Sequence, residues 1–129
     1  MPANILIVEG DNSTARTLHD LLEIHGHHVV ALMDPEQVTD IAREIQPDLA
    51  IVSLMVPPLT GIEVVERLRA AGFDSLPVIG TTSSSLMEEI GEAADMFEEI
   101  VVYDRSVASP DIDRLMDTIA EHLDRSVAT

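Results

Sequence analysis

The feature that most constrains this chain is an alternation between two kinds of apolar spacing. Five short runs, Asn4–Glu9, His28–Met33, Asp48–Val52, Leu76–Thr81 and Glu99–Tyr103, are almost continuously apolar. Runs of that length suit strands buried on both faces of a parallel sheet. Between them, apolar residues recur every three or four positions, as in an amphipathic helix. Leu18, Leu21 and Leu22 mark a first helix from about Ser13 to Ile24, stopped by Gly26. Asp34-Pro35 caps a second, with Val38, Ile41, Ala42 and Ile45 on one face and Pro47 at its end. The third, Ile62 to Ala71, turns Ile62, Val65 and Leu68 inward and is closed by Gly72. Ser85 to Glu88 opens a fourth as a capping box, running to about Asp95. Ser109-Pro110 caps the last, which runs to about Asp124 with Ile112, Leu115, Met116, Ile119 and Leu123 apolar. Short connections between alternating strands and helices favour parallel pairing with right-handed crossovers. The expected fold is therefore α/β, a three-layer doubly wound parallel sheet of five strands. It occupies residues 1–125 as one domain, with 126–129 as a frayed end or linker stub.

The same alternation leaves one stretch with more to do than pack. Pro47 to Gly61, PDLAIVSLMVPPLTG, reads as a strand that delivers Ser53 onto a loop, after which Thr60-Gly61-Ile62-Glu63 forms a capping box for the next helix. In an open parallel sheet, sites are built at the carboxyl ends of the strands. Ser53 stands at such an end.

The run S-L-M-V-P-P-L-T-G resembles the D-L-M-M-P-x-M-D-G loop of response-regulator receiver domains, and the resemblance covers nearly the whole chain. It implies a flavodoxin-like strand order, 2-1-3-4-5. In that family the first residue of the loop is the aspartate that accepts a phosphoryl group from a histidine kinase; here it is Ser53. The family's acidic group after the first strand, V-E-D-D or V-D-D, reads Val8-Glu9-Gly10-Asp11. The resemblance places Gly10 at the position of the direct metal ligand, leaving Glu9 and Asp11 as a residual acidic pair. Mg²⁺ wants near-octahedral oxygen ligands that include one or two carboxylates. Its binding is expected to be lost or weak, and no other cofactor is implied. Thr82 matches the family's switch hydroxyl. Tyr103, beside Asp104, stands where the family carries a lysine, and this chain contains no lysine. Arg105 is the nearest cation, with a different geometry.

A serine hydroxyl is a weak nucleophile without an activating base or metal. Acids beside a helix N-terminus are favoured there for electrostatic reasons alone. Ser53 is thus expected to fill a former acid site, and Glu9 and Asp11 to serve the turn and helix start. Gly10 is expected to ease that turn. Neither a Gly-rich phosphate loop nor a nucleophile-base-acid set is present, so no enzyme is expected. His19, His25, His27 and His28 do not make a metal site: His27 and His28 point to opposite faces of a strand, and no carboxylate or cysteine spacing supports them.

Composition bounds the partners. Twenty-four acidic residues face seven arginines, a net charge of −17. Such a chain repels nucleic-acid phosphates and anionic membranes. Its acidity suits either a solvated surface in a salt-rich cytoplasm, where self-repulsion is screened, or a basic partner. With no cysteine, no membrane-length apolar run and no basic N-terminal segment, the expected location is the cytoplasm. The leading expectation is a pseudo-receiver that signals by protein contact without phosphotransfer. The family's output face would place a protein partner, or a second copy in a homodimer, on the fourth helix, fifth strand and fifth helix, including Ile90 to Phe97. An alternative is a small-ligand domain, because Ser53 and Met55 also resemble the S-x-L motif of cobalamin-binding domains. The loop EGDNSTART, however, lacks that family's cobalt-ligating histidine. A second alternative is a receiver still phosphorylated in an atypical way through Glu9 and Asp11.

Overall fold

The computed structural model describes residues 3–82, 95–102 and 109–127. Its elements are β1 (Asn4–Val8), α1 (Asn12–Ile24), β2 (His28–Leu32), a 3-10 turn (Pro35–Gln37), α2 (Val38–Ile45) and β3 (Leu49–Ser53). Then follow β4 (Met55–Val56), β5 (Leu59–Thr60), α3 (Gly61–Ala70), β6 (Val78–Thr82), β7 (Glu99–Val102) and α4 (Ser109–Val127). Five strands form one parallel sheet in the order β2-β1-β3-β6-β7. Counted among themselves these are strands 2-1-3-4-5, the expected flavodoxin-like order. β4 and β5 make a small antiparallel ribbon that the sequence pattern did not indicate.

Side-chain alternation along the strands divides the interior into two layers. Leu6, Val8, Ala50, Val52 and Val78 face the side covered by α2 and α3. Ile5, Ile7, Leu49, Ile51 and Ile79 face the other, where Leu18 and Leu22 of α1 and Leu115, Ile119 and Leu123 of α4 close over them. Ile5 and Ile7 are fully buried, each contributing about 1.5–3 kcal/mol relative to exposure. Among the described residues no helix is long and apolar enough to cross a membrane.

Several boundaries shift for local reasons. β3 includes Ser53, because Ser53 pairs with Thr81 of β6. β6 likewise extends to Thr82, opposite Val102. Asp34 caps the 3-10 turn, accepting from the Glu36 N–H at 3.1 Å, and α2 begins only at Val38. In α3 the buried stripe is Gly61, Val64, Val65 and Leu68, while Ile62 is only half-buried. The stripe starts from Gly61 rather than Ile62 because the helix begins pressed against β3. The last helix contains Ser109 and continues to Val127, beyond the expected end near Asp124. The expected helix from Ser85 lies outside the described residues except at its end.

Candidate functional site

Sheet register brings the carboxyl ends of β1, β3 and β6 side by side. Val8 is opposite Val52, and Val52 is opposite Gly80. The turn Glu9-Gly10-Asp11 therefore emerges next to Ser53, and Ser53 next to Thr81 and Thr82. The Leu54 N–H donates to the Thr81 carbonyl at 2.9 Å, holding the β3 loop across to β6.

Ser53 is half-buried at the end of β3. Its Oγ donates to the Met55 carbonyl oxygen at 3.0 Å and lies 3.4 Å from the Met55 N–H. The hydroxyl is thereby engaged with its own loop. No base side chain is hydrogen-bonded to it in these contacts, so they supply no activation of the oxygen as a nucleophile.

The loop beyond Ser53 is held by packing. Leu54, Val56 and Leu59 are buried in the α2–α3 layer, whereas Met55, Pro57 and Pro58 face outward. The Pro57-Pro58 peptide bond is cis. The Gly61 N–H donates to the Leu54 carbonyl at 2.9 Å. A Cβ on Gly61 would stand 2.5 Å from the Ser53 carbonyl oxygen and 2.8 Å from Leu54 Cα. Only glycine lets α3 start this close to β3. The Thr60 side chain accepts from the Glu63 N–H at 3.2 Å, and the Glu63 carboxylate accepts from the Thr60 N–H at 3.1 Å, completing the expected capping box.

The acids of the β1 turn have local work. Glu9 extends the ladder, its N–H donating to the Leu32 carbonyl at 3.0 Å, and its carboxylate accepts from the Asp11 N–H at 3.1 Å. Asp11 is the N-cap of α1. Its Oδ2 accepts from the Thr14 N–H at 2.9 Å and from the Thr14 hydroxyl at 2.8 Å. The sequence indicated an acid beside the helix N-terminus; the structure makes it the cap itself.

Gly10 differs from Gly61. The only glycines with positive φ among the described residues are Gly26 and Gly72, so the Gly10 backbone suits any L-residue. A Cβ there would meet Val56 Cγ2 at 3.7 Å, an ordinary contact. The expectation that glycine eases this turn is therefore corrected: neither backbone nor space requires it.

Thr82 is buried at the end of β6, six percent exposed. Phe97, expected on an interaction face, is instead buried, and a Cβ on Gly80 would come within 3.0 Å of its ring. Gly80 thus makes room for Phe97. Tyr103, Asp104 and Arg105, and residues 83–94 with Ile90 among them, lie outside the described residues. Among those described, no group of three or more His, Asp or Glu side chains is arranged to hold a metal ion.

Comparison with known proteins agrees with the fold. Residues 5–99 match the family described as the response regulator receiver domain. The response regulator MprA of Mycolicibacterium vanbaalenii is 32% identical over 89 residues, covering 69% of this chain and 38% of that protein. The polar-differentiation response regulator DivK of Brucella anthropi is 29% identical over 87 residues, covering 67% of this chain and 71% of that protein. The chain thus spans less than two fifths of the length of MprA. Among solved structures it resembles the signal receiver domain of a modulated diguanylate cyclase from Desulfovibrio desulfuricans G20. That match has a TM-score of 0.79 and 30% identity, over 99% of this chain and 98% of the other. It also resembles the response regulator TrrA of Thermotoga maritima in complex with Mg²⁺ and BeF, with a TM-score of 0.77 and 21% identity, over 95% and 99% of the two chains.

Proposed function

The chain belongs to the response regulator receiver domain family, and on that premise we propose that it signals through protein contact, without accepting a phosphoryl group. The observation that carries this reading is the side-chain set at the carboxyl ends of β1 and β3. Ser53 stands where the family's acceptor carboxylate belongs, and Gly10 offers no ligand at the position of the direct metal contact. The two acids that remain accept backbone and hydroxyl hydrogen bonds within the turn and the α1 cap. This donor set does not fit a tight Mg²⁺ site, which needs carboxylate oxygens directed at one point. An ester on Ser53 would moreover be far more inert than an acyl phosphate, so it would serve poorly as a reversible signal. The reading includes no enzymatic activity.

Charge supports the choice of partner class. At −17 the chain disfavours nucleic acid and anionic membrane and favours a protein, with β7 and α4 as one face to probe. Amide NMR spectra recorded during titration with Mg²⁺ and then beryllofluoride test the reading. Signals of Glu9 to Asp11, Ser53 to Val56 and Thr82 are expected to stay in place at millimolar Mg²⁺. Movement of these signals would refute it. Because Gly10 has room for a side chain, Gly10→Asp combined with Ser53→Asp is expected to bring Mg²⁺-dependent shifts to the same residues.

A further inference from the structure

β2 is the outer strand on one side of the sheet. The His28 N–H donates to the Ala3 carbonyl at 2.9 Å, and the Leu32 carbonyl accepts from the Glu9 N–H at 3.0 Å. The even-numbered residues of β2 therefore turn their backbone groups toward β1. By the two-residue alternation of a strand, those of Val29 and Ala31 turn outward. Outer strands are usually protected by charged residues or proline. β2 reads HVVAL and has none. The opposite outer strand, β7, begins at Glu99 directly after Glu98.

The surroundings of this edge are self-complementary. Ile24, Met33 and Met55 are the exposed large apolar residues among those described. Two of them flank the edge: Ile24 ends α1 just before β2, and Met33 follows β2 at its other end. A groove of about 270 Å³ runs along the edge between α1 and β2, lined in part by Arg16, Asp20, Ala31 and Met33. Arg16, Asp20 and Glu23 lie at i, i+4 and i+7 on one stripe of α1. Arg16 is exposed, and the Asp20 and Glu23 side chains are 63% and 50% exposed, each with one carboxylate oxygen against His19, at 3.1 and 3.3 Å.

We infer that the β2 edge is a homodimer interface, on which a second copy of this chain pairs antiparallel along β2 about a two-fold axis near Val30. Two five-stranded sheets then become one, with both α1 helices side by side and antiparallel on the same face. Met33 of each copy comes opposite the start of the other β2, where the partner's Ile24 lies. Arg16 comes against the partner's Asp20 and the partner's Glu23. A cation toward one end of the stripe and anions toward the other suit this two-fold relation, whereas a parallel arrangement would set like charges together.

The net charge of −17 on each copy opposes association, and salt relieves that repulsion. The Debye length falls from about 10 Å at 0.1 M to about 3 Å at 1 M. Salt also screens the few arginine–carboxylate pairs, but the large excess of acid sets the sign.

Sedimentation equilibrium of the intact chain in low and high KCl tests the inference. Dimerisation is expected to strengthen at least tenfold from about 0.1 M to about 1 M salt, the range over which screening becomes short-ranged. Ala31→Pro removes one outward N–H at an edge position that tolerates proline, and is expected to weaken the dimer at least tenfold. Arg16→Glu, on an exposed helix face, is expected to do the same. Mixing the Arg16→Glu chain with an Asp20→Arg/Glu23→Arg chain is expected to restore association as a heterodimer. A chain that stays monomeric at millimolar concentration in high salt overturns the inference. So does a dimer indifferent to both Ala31→Pro and Arg16→Glu, which would place the contact on another face. Neither outcome bears on the absence of phosphotransfer, which the Mg²⁺ titration tests separately.

Discussion

Two glycines at the carboxyl end of the sheet are held to different standards. Gly61 lies where any side chain would run into the Ser53 carbonyl and the Leu54 backbone, so packing dictates it. Gly10 lies 3.7 Å from its nearest neighbour at the virtual Cβ, in a conformation open to any residue. The same contrast separates the two loops that carry them. From Ser53 to Gly61 the buried Leu54, Val56 and Leu59 keep the receiver pattern because the core is built on them. From Glu9 to Asp11 the backbone is fixed by hydrogen bonds that acids supply at positions 9 and 11, and position 10 makes no structural demand. Packing holds the first loop, and hydrogen bonds hold the second without calling on the residue at position 10.

The largest effect that could break this comparison is at Gly61. Gly61→Ala is expected to lower unfolding free energy by about 3 kcal/mol, the upper part of the usual range for overpacking, as read from the urea midpoint. It should also shift the Ser53 and Leu54 amides, since their backbone must yield. A neutral result would mean that α3 can start elsewhere. Removal of the cap in the other loop comes next. Asp11→Ala is expected to cost about 1 kcal/mol and to raise amide exchange in the first turn of α1. Thr60→Ala, which breaks the capping box of α3, should cost about the same. Gly10→Ala sharpens the contrast from the other side, with thermal stability expected within about 0.5 kcal/mol of the parent.

The smallest effect lies at the opposite end of the sheet, away from both loops. His27 takes the Ala3 N–H on its Nδ1 at 3.2 Å, which requires the neutral ring. Burial, and secondarily the nearby His25, hold its pKa below the ordinary value of 6.5. The unfolded chain therefore binds the proton more readily. This contribution to stability is full above pH 6.5 and declines as the pH falls toward the lowered folded value. Comparing the parent with His27→Asn in urea unfolding between pH 7.5 and 5 isolates it. The parent is expected to lose stability relative to the variant as the pH falls, and the reverse slope would contradict the assignment.

Much of this was legible before any coordinates. Strand positions followed from runs such as Asn4–Glu9 because both faces of a central strand must be apolar. Helix caps at Thr60 and Asp34 followed because a side-chain oxygen must accept the unpaired N–H groups of a first turn. The proximity of Glu9, Ser53 and Thr82 followed from strand order and the family resemblance together. Other features were hidden. The β4–β5 ribbon consists of two two-residue strands, too short for any period to register. The buried stripe of α3 starts at a glycine, which carries no hydropathy signal. Phe97 falls in the segment that the family resemblance assigns to an output face, and nothing in the local spacing reveals that its ring packs over Gly80 instead.

The sequence by itself determined the layering, because apolar periodicity and short connections leave few other ways to bury this much apolar surface; the strand order came from the family resemblance and not from spacing. It also determined that position 10 is glycine and position 53 serine, which are matters of residue identity. Only the tertiary structure decided what surrounds those two residues. Steric demand and hydrogen-bond commitment depend on neighbours distant in the chain: Val56 beside Gly10, Ser53 beneath Gly61, and Ala3 on the ring of His27. Distances of that kind are set when the layers close, and no local spacing in the sequence encodes them.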